Sequence, residues 1–464
     1  MTERSFSNNA GFRFMLLMAW TACIMVACKK GTEKPVYPPG SNENINQWLF
    51  DSLQRYYYWN ESLPGATNLG AKPEDFFSSI LNAADRFSYI ILPGDPSGWK
   101  RSNKSQYGFD YSALLTQDGQ AFGVVKMIMF DSPASRAGLK RGDYFVKING
   151  KRITRENAQA LQQELLAGNR VTLGMARYEN NQFIETEPVD IAAGHTFEQP
   201  AYTKLIQAAH SKAGYIYCID FNPGLAASLY GTFAGFKAAG ASDLILDLRY
   251  NSGGQVAEAA ALCAMIAPSI NFNTSFITYK GNKNGGVKTE SLGTAATFDG
   301  TVNFNTLLQN NLALNRVFIL GTGATASAAE IMINNLYPFL KVILIGEKTR
   351  GKDEASFPIT DLRNPKQVEW EIHPIIYKLF NAQGRGDYSK GLDPNIVINE
   401  FSSLPLLPFG EEEDPLLKTA LSIIDGNTPV PNGRSRQLSG IRIGDVLTDT
   451  HDRKAGESVV ITHR

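Results

Sequence analysis

Residues 316–331 read RVFILGTGATASAAEI, and the fold of the surrounding region can be predicted from this stretch. It begins with a short apolar run, passes through a turn of glycine and other small residues, and continues in a pattern with helical spacing. A strand that ends in such a turn and opens a helix is a unit of an α/β sheet. The backbone N–H groups of the turn point outward at the helix start, where they can hold negative charge.

Further short apolar runs of the same kind occur on both sides of this stretch. They lie at 215–219, 244–248 and 341–345, each bounded by turn signals or helical patterns. The second run leads into DLRYNSGG at 247–254, which opens another helical pattern at 256–266. The sequence therefore predicts an α/β core, which we place at 194–425.

The glycine-containing turn within residues 316–331 contains a candidate nucleophile, Ser327. Its neighbours Ala326, Ala328 and Ala329 are small and leave room for an acyl group. A nucleophilic hydroxyl also needs a base and donors for the developing oxyanion, and the Ala328 amide is one candidate donor. An ordinary helix N-cap is the alternative role for Ser327, and local sequence alone favours it.

The candidate base is a lysine. The five histidines lie in no recognisable triad motif. A lysine can replace histidine when burial disfavours the ammonium form. Lys352 closes GEKTRGK at 346–352, directly after the next predicted strand. The alternative is a solvated loop cation beside Lys348 and Arg350. Asp247 and Arg249 are predicted to form an internal ion pair that supports their turn.

A different pattern precedes the core. Residues 132–153 read SPASRAGLKRGDYFVKINGKRI and resemble a PDZ domain, which we place at 104–193. PDZ domains bind an extended peptide, often a free C-terminus, by adding it as a strand beside a helix. The resemblance places the carboxylate loop at Tyr107, Gly108 and Phe109. A simple strand end is the alternative for these residues.

The N-terminal residues resemble a targeting signal. Arg4 and Arg13 precede an apolar run at 14–27 that is too short to span a bilayer comfortably, which predicts a signal peptide at 1–27. The run ends in Ala27-Cys28 and resembles the lipobox of bacterial lipoproteins, which implies lipidation of Cys28. An ordinary signal peptide with a chance cysteine is the alternative. A tether at 28–42 and a small helical domain at 43–100 are predicted to follow.

Composition excludes several classes of function. The 464 residues carry 45 Lys plus Arg and 45 Asp plus Glu, and a formal net charge of zero argues against a nucleic-acid binder. No His, Cys or Asp cluster has metal-ligand spacing and the phosphate-loop signature is missing, so we expect no cofactor. Cys218 and Cys263 lie in apolar runs and are predicted to be buried thiols rather than a redox pair.

Together these residues resemble the carboxy-terminal processing proteases, also called tail-specific proteases. Those enzymes combine a PDZ domain with a crotonase/ClpP-like core and use a Ser-Lys dyad. The resemblance assigns the nucleophile to Ser327, three residues before Glu330, and the base to Lys352, twenty-five residues after Ser327. It extends from Ile45 to the GLDP turn at 391–394.

The same resemblance assigns the remaining site residues. The oxyanion donors are the amides of Ala328 and Gly253, with Gly254 as the alternative to Gly253. Two positions depart from the family pattern: Ser356 stands where a glutamine often helps orient the dyad, and Ser252 stands where DLRxNPGG has proline. Ser356 is given an orienting role, with an ordinary strand serine as the alternative.

The resemblance implies a multidomain α/β fold: a crotonase/ClpP-like α/β catalytic core, a PDZ domain inserted in it or preceding it, an N-terminal helical domain, and an extension at 426–464 of unassigned role. It implies a serine endopeptidase of the bacterial cell envelope, periplasmic or surface-facing and anchored to a membrane through Cys28. Its partners would be unfolded or C-terminal peptide segments of envelope proteins. The substrate, the oligomeric state and the effect of the PDZ domain on activity stay open.

Two other classes of function compete with this interpretation. The first is a PDZ lipoprotein that binds peptides without cutting them. Residues 321–326 also satisfy a loose dinucleotide-binding fingerprint, with Glu347 at the end of the next strand in place of the ribose-binding acid.

Overall fold

The computed structural model describes residues 35–65, 68–94, 102–195, 201–427 and 441–449. The predicted signal peptide, Cys28 and most of the 426–464 extension lie outside these ranges. In the part of the chain that is described, no helix is long and apolar enough to cross a membrane.

The α-helices and strands follow in chain order. The helices are α1 (Asn42–Tyr56), α2 (Pro73–Ile80), α3 (Asn103–Tyr107), α4 (Pro133–Arg136), α5 (Ala158–Ala167), α6 (Leu225–Ser228), α7 (Tyr230–Ala238), α8 (Val256–Ile266), α9 (Leu292–Ala296), α10 (Phe304–Gln309), α11 (Ala328–Leu336) and α12 (Pro415–Ile424). The strands are β1 (Tyr89–Ile91), β2 (Phe109–Thr116), β3 (Ala121–Ile128), β4 (Tyr144–Ile148), β5 (Lys151–Arg152), β6 (Arg170–Glu179), β7 (Gln182–Glu185), β8 (Val189–Ala192), β9 (Ala201–Gln207), β10 (Lys212–Cys218), β11 (Asp243–Asp247), β12 (Ser275–Lys280), β13 (Val287–Ser291), β14 (Arg316–Gly321), β15 (Lys341–Gly346), β16 (Glu354–Ala355), β17 (Ile359–Thr360), β18 (Glu371–His373), β19 (Tyr377–Asn381), β20 (Ile396–Val397) and β21 (Ile443–Asp449).

The predicted α/β core is a six-stranded sheet with the order β20-β15-β14-β11-β10-β9. All neighbours are parallel except β9, which runs antiparallel to β10. The four apolar runs of the sequence correspond to β10, β11, β14 and β15. Because parallel strands end at the same edge of a sheet, the turns after β11, β14 and β15 lie side by side.

Helices cover both faces of this sheet. All residues of α8 and α11 are buried, and both helices belong to one large apolar cluster with β11 and β14. Helix α12 packs on the opposite face. Cys218 and Cys263 are free, fully buried thiols, as predicted. Burial raises the pKa of the Cys218 thiol to about 12, so it stays neutral at ordinary pH.

The PDZ segment forms an eight-stranded sheet built mainly on the path β21-β2-β3-β4-β6-β7. Its apolar side packs on α5, where Leu161 and Leu165 are buried. Strand β21 comes from the extension whose role the sequence left unassigned, and it pairs with β2.

The N-terminal helices were predicted correctly, but they do not pack alone. Buried residues of α1 and α2 share a cluster with Val368 and with Ile372 of β18, far along the chain. Strand β1, which follows α2, pairs with β18. Two short helices bury little apolar surface against each other, and strands β1 and β18 supply additional apolar surface for them to pack on.

Candidate active site

The turn after β11 begins with a buried ion pair. Arg249 Nη2 lies 2.6 Å from Asp247 Oδ2, and Arg249 Nη1 lies 2.9 Å from Asp414 Oδ2. All three side chains are buried. Burial raises the pKa of Asp414, but the nearby Arg249 and Arg141 outweigh it and the pKa is lowered. The internal ion pair predicted for Asp247 and Arg249 is confirmed, and it holds the turn rather than facing a substrate.

Asn251 connects this turn to its surroundings. Its side-chain nitrogen donates to the Cys218 carbonyl at 3.1 Å, and its carbonyl accepts from the Ala326 amide at 3.0 Å. Its Oδ1 accepts from the Gly253 amide at 2.9 Å. The amide predicted as an oxyanion donor is thus engaged by Asn251, and the oxyanion role of Gly253 stays a prediction.

Gly253 lies directly against the candidate nucleophile. Its φ is +112°, and a Cβ at this position would be 2.5 Å from Ser327 Cβ and 2.9 Å from the Ala328 nitrogen. At Gly254, with φ of +127°, a Cβ would be 2.4 Å from the Phe221 carbonyl oxygen. Only glycine fits both the positive φ and the close approach. The glycine pair of DLRYNSGG therefore allows the turn after β11 to contact the turn after β14, which carries Ser327.

Ser327 precedes α11 in a strained conformation. Its φ of 61° and ψ of −121° are uncommon for a residue with a side chain and cost on the order of 1–3 kcal/mol. The residue is 1% exposed, and among the described residues its Oγ has no hydrogen-bond partner. Ser327 occupies the N-cap position of α11, as local sequence favours, but its hydroxyl makes no cap hydrogen bond. Strain and an unpaired buried hydroxyl are instead typical of a functional site.

Glu330 joins the two loops that carry the predicted dyad. Its Oε2 accepts from the Ser327 amide at 2.9 Å and from the Lys352 amide at 2.7 Å. Its Oε1 accepts from the Gly351 amide at 2.7 Å and from Thr349 Oγ1 at 2.5 Å. Burial raises the pKa of Glu330, and these hydrogen bonds oppose that rise without cancelling it. Four donors aimed at two oxygens match an ionised carboxylate.

Lys352 is buried next to the site. The residue is 3% exposed, and its Nζ lies 5.2 Å from the centre of the Phe87 ring. The alternative of a solvated loop cation is therefore wrong. Arg86 donates to the carbonyls of Gly351 and Ser389, the latter at 2.8 Å, and so fastens the N-terminal segment to the lysine loop. Because Ser327 Oγ has no partner, no hydrogen bond joins it to Lys352 Nζ in this structure.

The two departures from the family pattern have definite surroundings. Ser252 Oγ donates to Asp220 Oδ1 at 2.7 Å, and the other oxygen of Asp220 pairs with Lys104 of α3. The serine thus links the glycine turn to the helix that leads into the PDZ segment. Ser356 is 2% exposed, and its orienting role stays a prediction.

The residues predicted to receive a peptide carboxylate lie where α3 meets β2. Gly108 ends α3 with φ of 77°, and its amide donates to the carbonyls of Asn103 and Lys104. Tyr107 and Phe109 are fully buried, so their side chains support the loop from inside. The peptide-binding role of these three residues stays a prediction.

Sequence reasoning missed several residues of the site. Arg86 and Phe87 carry no motif, and nothing in the sequence relates them to Lys352. The Ser-x-x-Glu spacing of Ser327 and Glu330 predicts only that Glu330 caps or braces its helix, not that it binds the lysine loop. Asn251 lies inside the recognised turn, but its hydrogen bond to the Gly253 amide has no signal in the sequence.

Three family profiles match the chain. Peptidase family S41 matches residues 212–398, the peptidase S41 N-terminal domain matches 44–89, and the PDZ domain matches 124–177. The S41 match includes both glycine-containing turns, Glu330 and Lys352. It also covers the 321–326 segment for which a dinucleotide site was the alternative.

Individual relatives agree with these matches. The carboxy-terminal processing protease CtpA of Bacillus subtilis is 25% identical over 280 residues, which are 60% of this chain and 53% of that protein. A carboxy-terminal-processing protease of Bartonella bacilliformis is 23% identical over 333 residues, 70% of this chain and 69% of the other. The chain therefore spans about half the length of the first of these relatives and about two thirds of the second.

One solved structure is similar to this chain across most of its length. The crystal structure of a Bacteroides fragilis protein assigned to the S41 proteases has a TM-score of 0.67 and 27% sequence identity. The match covers 84% of this chain and 99% of the other. The fold of this chain, with its helical N-terminal region, PDZ segment and α/β core, is therefore similar to that structure over most of its length.

Proposed function

We propose that this chain, which matches peptidase family S41 over residues 212–398, is a cell-envelope serine endopeptidase that cleaves protein chains with a Ser327-Lys352 dyad. The observation that supports the dyad most directly is the Glu330 carboxylate, one oxygen of which binds the backbone amides of both residues. This shared acceptor holds the two loops next to each other. Gly253 approaches Ser327 from the other side.

In the proposed reaction Ser327 Oγ attacks the carbonyl carbon of the scissile bond and Lys352 accepts the hydroxyl proton. The amide of Ala328 and that of Gly253 or Gly254 stabilise the oxyanion. Lys352 then returns the proton to the leaving amine as the C–N bond breaks, and water releases the acyl group by the same steps in reverse. Each donor of this kind contributes several kcal/mol to typical transition states.

Two changes in the site must accompany substrate binding before the first step of the reaction. The Ser327 hydroxyl and the Lys352 amine must come into hydrogen-bond contact. If the Gly253 amide is the second oxyanion donor, it must also exchange its bond to Asn251 for one to the substrate. Active sites commonly tighten in this way only when the substrate is present.

Cleavage of an unfolded protein tests the proposal. The wild-type chain should convert unfolded β-casein to peptides with new termini detectable by mass spectrometry, and the Ser327→Ala chain should not. Equal proteolysis by both would eliminate the dyad. Binding of casein by both without any cleavage would instead favour the peptide-binding lipoprotein.

The pH dependence follows from the chemistry of a lysine base. A lysine accepts a proton only when neutral, so kcat/KM should increase with pH, by up to about tenfold per unit where the neutral form is scarce. The raised pKa of Glu330 acts in the same direction, because its carboxyl becomes protonated at a higher pH than an exposed glutamate and then loses acceptors. Initial rates between about pH 5 and pH 10 measure this profile. A flat profile over that range would count against a lysine base.

We also propose that the chain is exported and held at a membrane through lipid on Cys28. The Cys28→Ala variant should move from the membrane fraction to the soluble fraction and lose labelling by palmitate, because several acyl chains are needed for a firm anchor. Cys23→Ala is the matched control, since Cys23 lies in the segment that cleavage removes, and it should stay with the membrane. Membrane retention of labelled Cys28→Ala would contradict the anchor.

A further inference from the structure

Strand β21 fills the outer edge of β2, the position at which a PDZ domain adds a peptide. It pairs antiparallel with β2 along 443–449, and β2 pairs with β3 on its other side. Strand β21 also packs on α5, the helix beside that edge. A strand added between a sheet edge and a helix is the geometry of peptide capture by these domains.

The direction of β21 is that of a bound peptide. Ile443 pairs with Thr116, and Asp449 pairs with Ser112. The later residues of the strand therefore lie closer to Phe109 and to the loop at Gly108. A peptide whose C-terminal end faces the predicted carboxylate loop would run the same way.

The side chains of this segment differ in how far they are buried. Ile441, just before β21, is 2% exposed and belongs to an apolar cluster of the PDZ sheet. Leu447 packs against the cluster that contains Tyr107 and Leu165. Val446 points away and is 44% exposed. Leu447 is therefore the residue of β21 that packs on the cluster beside α5, while Ile443 packs on the same cluster as Ile441.

Asp449 is held by polar partners at the other end of the strand. One carboxylate oxygen pairs with Lys126 Nζ, and the other accepts from Ser112 Oγ at 3.0 Å. Lys126 is 1% exposed, and its Nζ lies 5.1 Å from the centre of the Tyr250 ring. Tyr250 is three residues before Gly253. Asp449, at the end of β21, therefore contacts the PDZ domain at the place where Lys126 of that domain lies beside Tyr250.

We infer that residues 441–449 are a built-in ligand of the PDZ groove, and that the groove takes extended peptides with an apolar residue followed two positions later by a carboxylate. A substrate peptide pairs with β2 only after β21 has left. The assignment rests on the proposed function only in naming the substrate as the competitor.

Two features allow the exchange. The β2–β21 register shifts between Ala113 and Leu114 and again between Leu115 and Thr116, so the ladder is irregular. The Arg155–Asp445 ion pair is exposed on both sides, and pairs of that kind contribute at most about 1 kcal/mol. Covalent connection nevertheless gives the strand an effective concentration that can reach the millimolar range, which a free peptide must overcome.

Binding of a labelled peptide to the full chain tests the inference. The probe is a fluorescein-labelled peptide with the sequence of residues 441–449, and the protein carries Ser327→Ala so that the probe is not cut. Adding Leu447→Asp to the protein places a charge against the PDZ core and should release β21. The probe should then bind at least about tenfold more tightly by fluorescence anisotropy, because the internal competitor is gone. Val446→Asp makes the same chemical change on the exposed face and should leave the affinity within about twofold.

Two further measurements distinguish the release of β21 from unfolding of the chain and test the role of the Asp449 carboxylate. Amides of residues 112–116 should exchange hydrogen faster in Leu447→Asp than in Val446→Asp, while those of β14 stay protected and show that the core is folded. When both probes are amidated at the C-terminus, so that no terminal carboxylate replaces the side chain, a probe with asparagine at the position of Asp449 should bind the released groove at least about tenfold more weakly, since it lacks the charge that Lys126 meets. Equal probe affinity in Leu447→Asp and Val446→Asp, or unchanged exchange at 112–116, would overturn the inference. Because the assay measures binding without cleavage, it can succeed even if the wild-type chain cuts no protein.

Discussion

Replacing Lys352 by methionine will lower kcat for cleavage of unfolded casein by about 10⁴-fold or more, to the level of Ser327→Ala. Methionine keeps an unbranched side chain of similar length in the buried site beside Phe87, but it cannot accept a proton. Loss of the base leaves Ser327 as an ordinary hydroxyl, which is a weak nucleophile near neutral pH. Quantitative mass spectrometry of the peptide products measures the remaining rate.

The double variant shows whether the two residues act together. Groups that work as one unit are not additive, so Ser327→Ala with Lys352→Met should be no slower than either single variant. Lys348→Met is the matched control: Lys348 lies in the same loop, but its side chain is 51% exposed and pairs with Asp393 on the surface. It should keep the wild-type rate. Wild-type kcat in Lys352→Met, with Ser327→Ala inactive, would assign the base to another group.

Glu330→Gln will lower kcat by about 10²-fold with a smaller change in KM, because a displacement of about 1 Å at a reacting group can cost that much. The glutamine nitrogen is a donor and would face N–H groups that now donate to the carboxylate. Each buried donor left without a partner costs about 1–3 kcal/mol. The loops of Ser327 and Lys352 would then separate. Glu330 is a positioning residue, since its oxygens bind backbone amides and not the reacting atoms.

Glu258→Gln is the control for this prediction. Glu258 also lies in the first turn of a buried helix, and its two oxygens accept from the amides of Gly224 and Ala226 at 2.6 and 2.7 Å. The two substitutions should lower the melting temperature by comparable amounts, but only Glu330→Gln should lower kcat. Equal kcat in the two variants would show that the Glu330 contacts serve stability alone.

The sequence determined the local units of this protein and the residues that define its chemistry. The strands β10, β11, β14 and β15, and the helices that follow β11 and β14, could be predicted because apolar periodicity and glycine turns act over a few residues. The pairing of Ser327 with Lys352, twenty-five residues later, came instead from the resemblance to a known protease family. Parallel pairing then brings the loops after neighbouring strands to one edge of the sheet, so their proximity required no knowledge of side-chain contacts.

The tertiary structure alone decided how those residues are held and which segments surround them. Glu330 binds the amides of Ser327 and Lys352 together, Asn251 engages the Gly253 amide, and Phe87 reaches the lysine from the N-terminal region. The addition of β21 to the PDZ sheet also had no signal in the sequence. A hydrogen-bond partner or a neighbouring strand depends on which distant segments meet in space, and that is decided by the packing of the whole chain rather than by any local pattern.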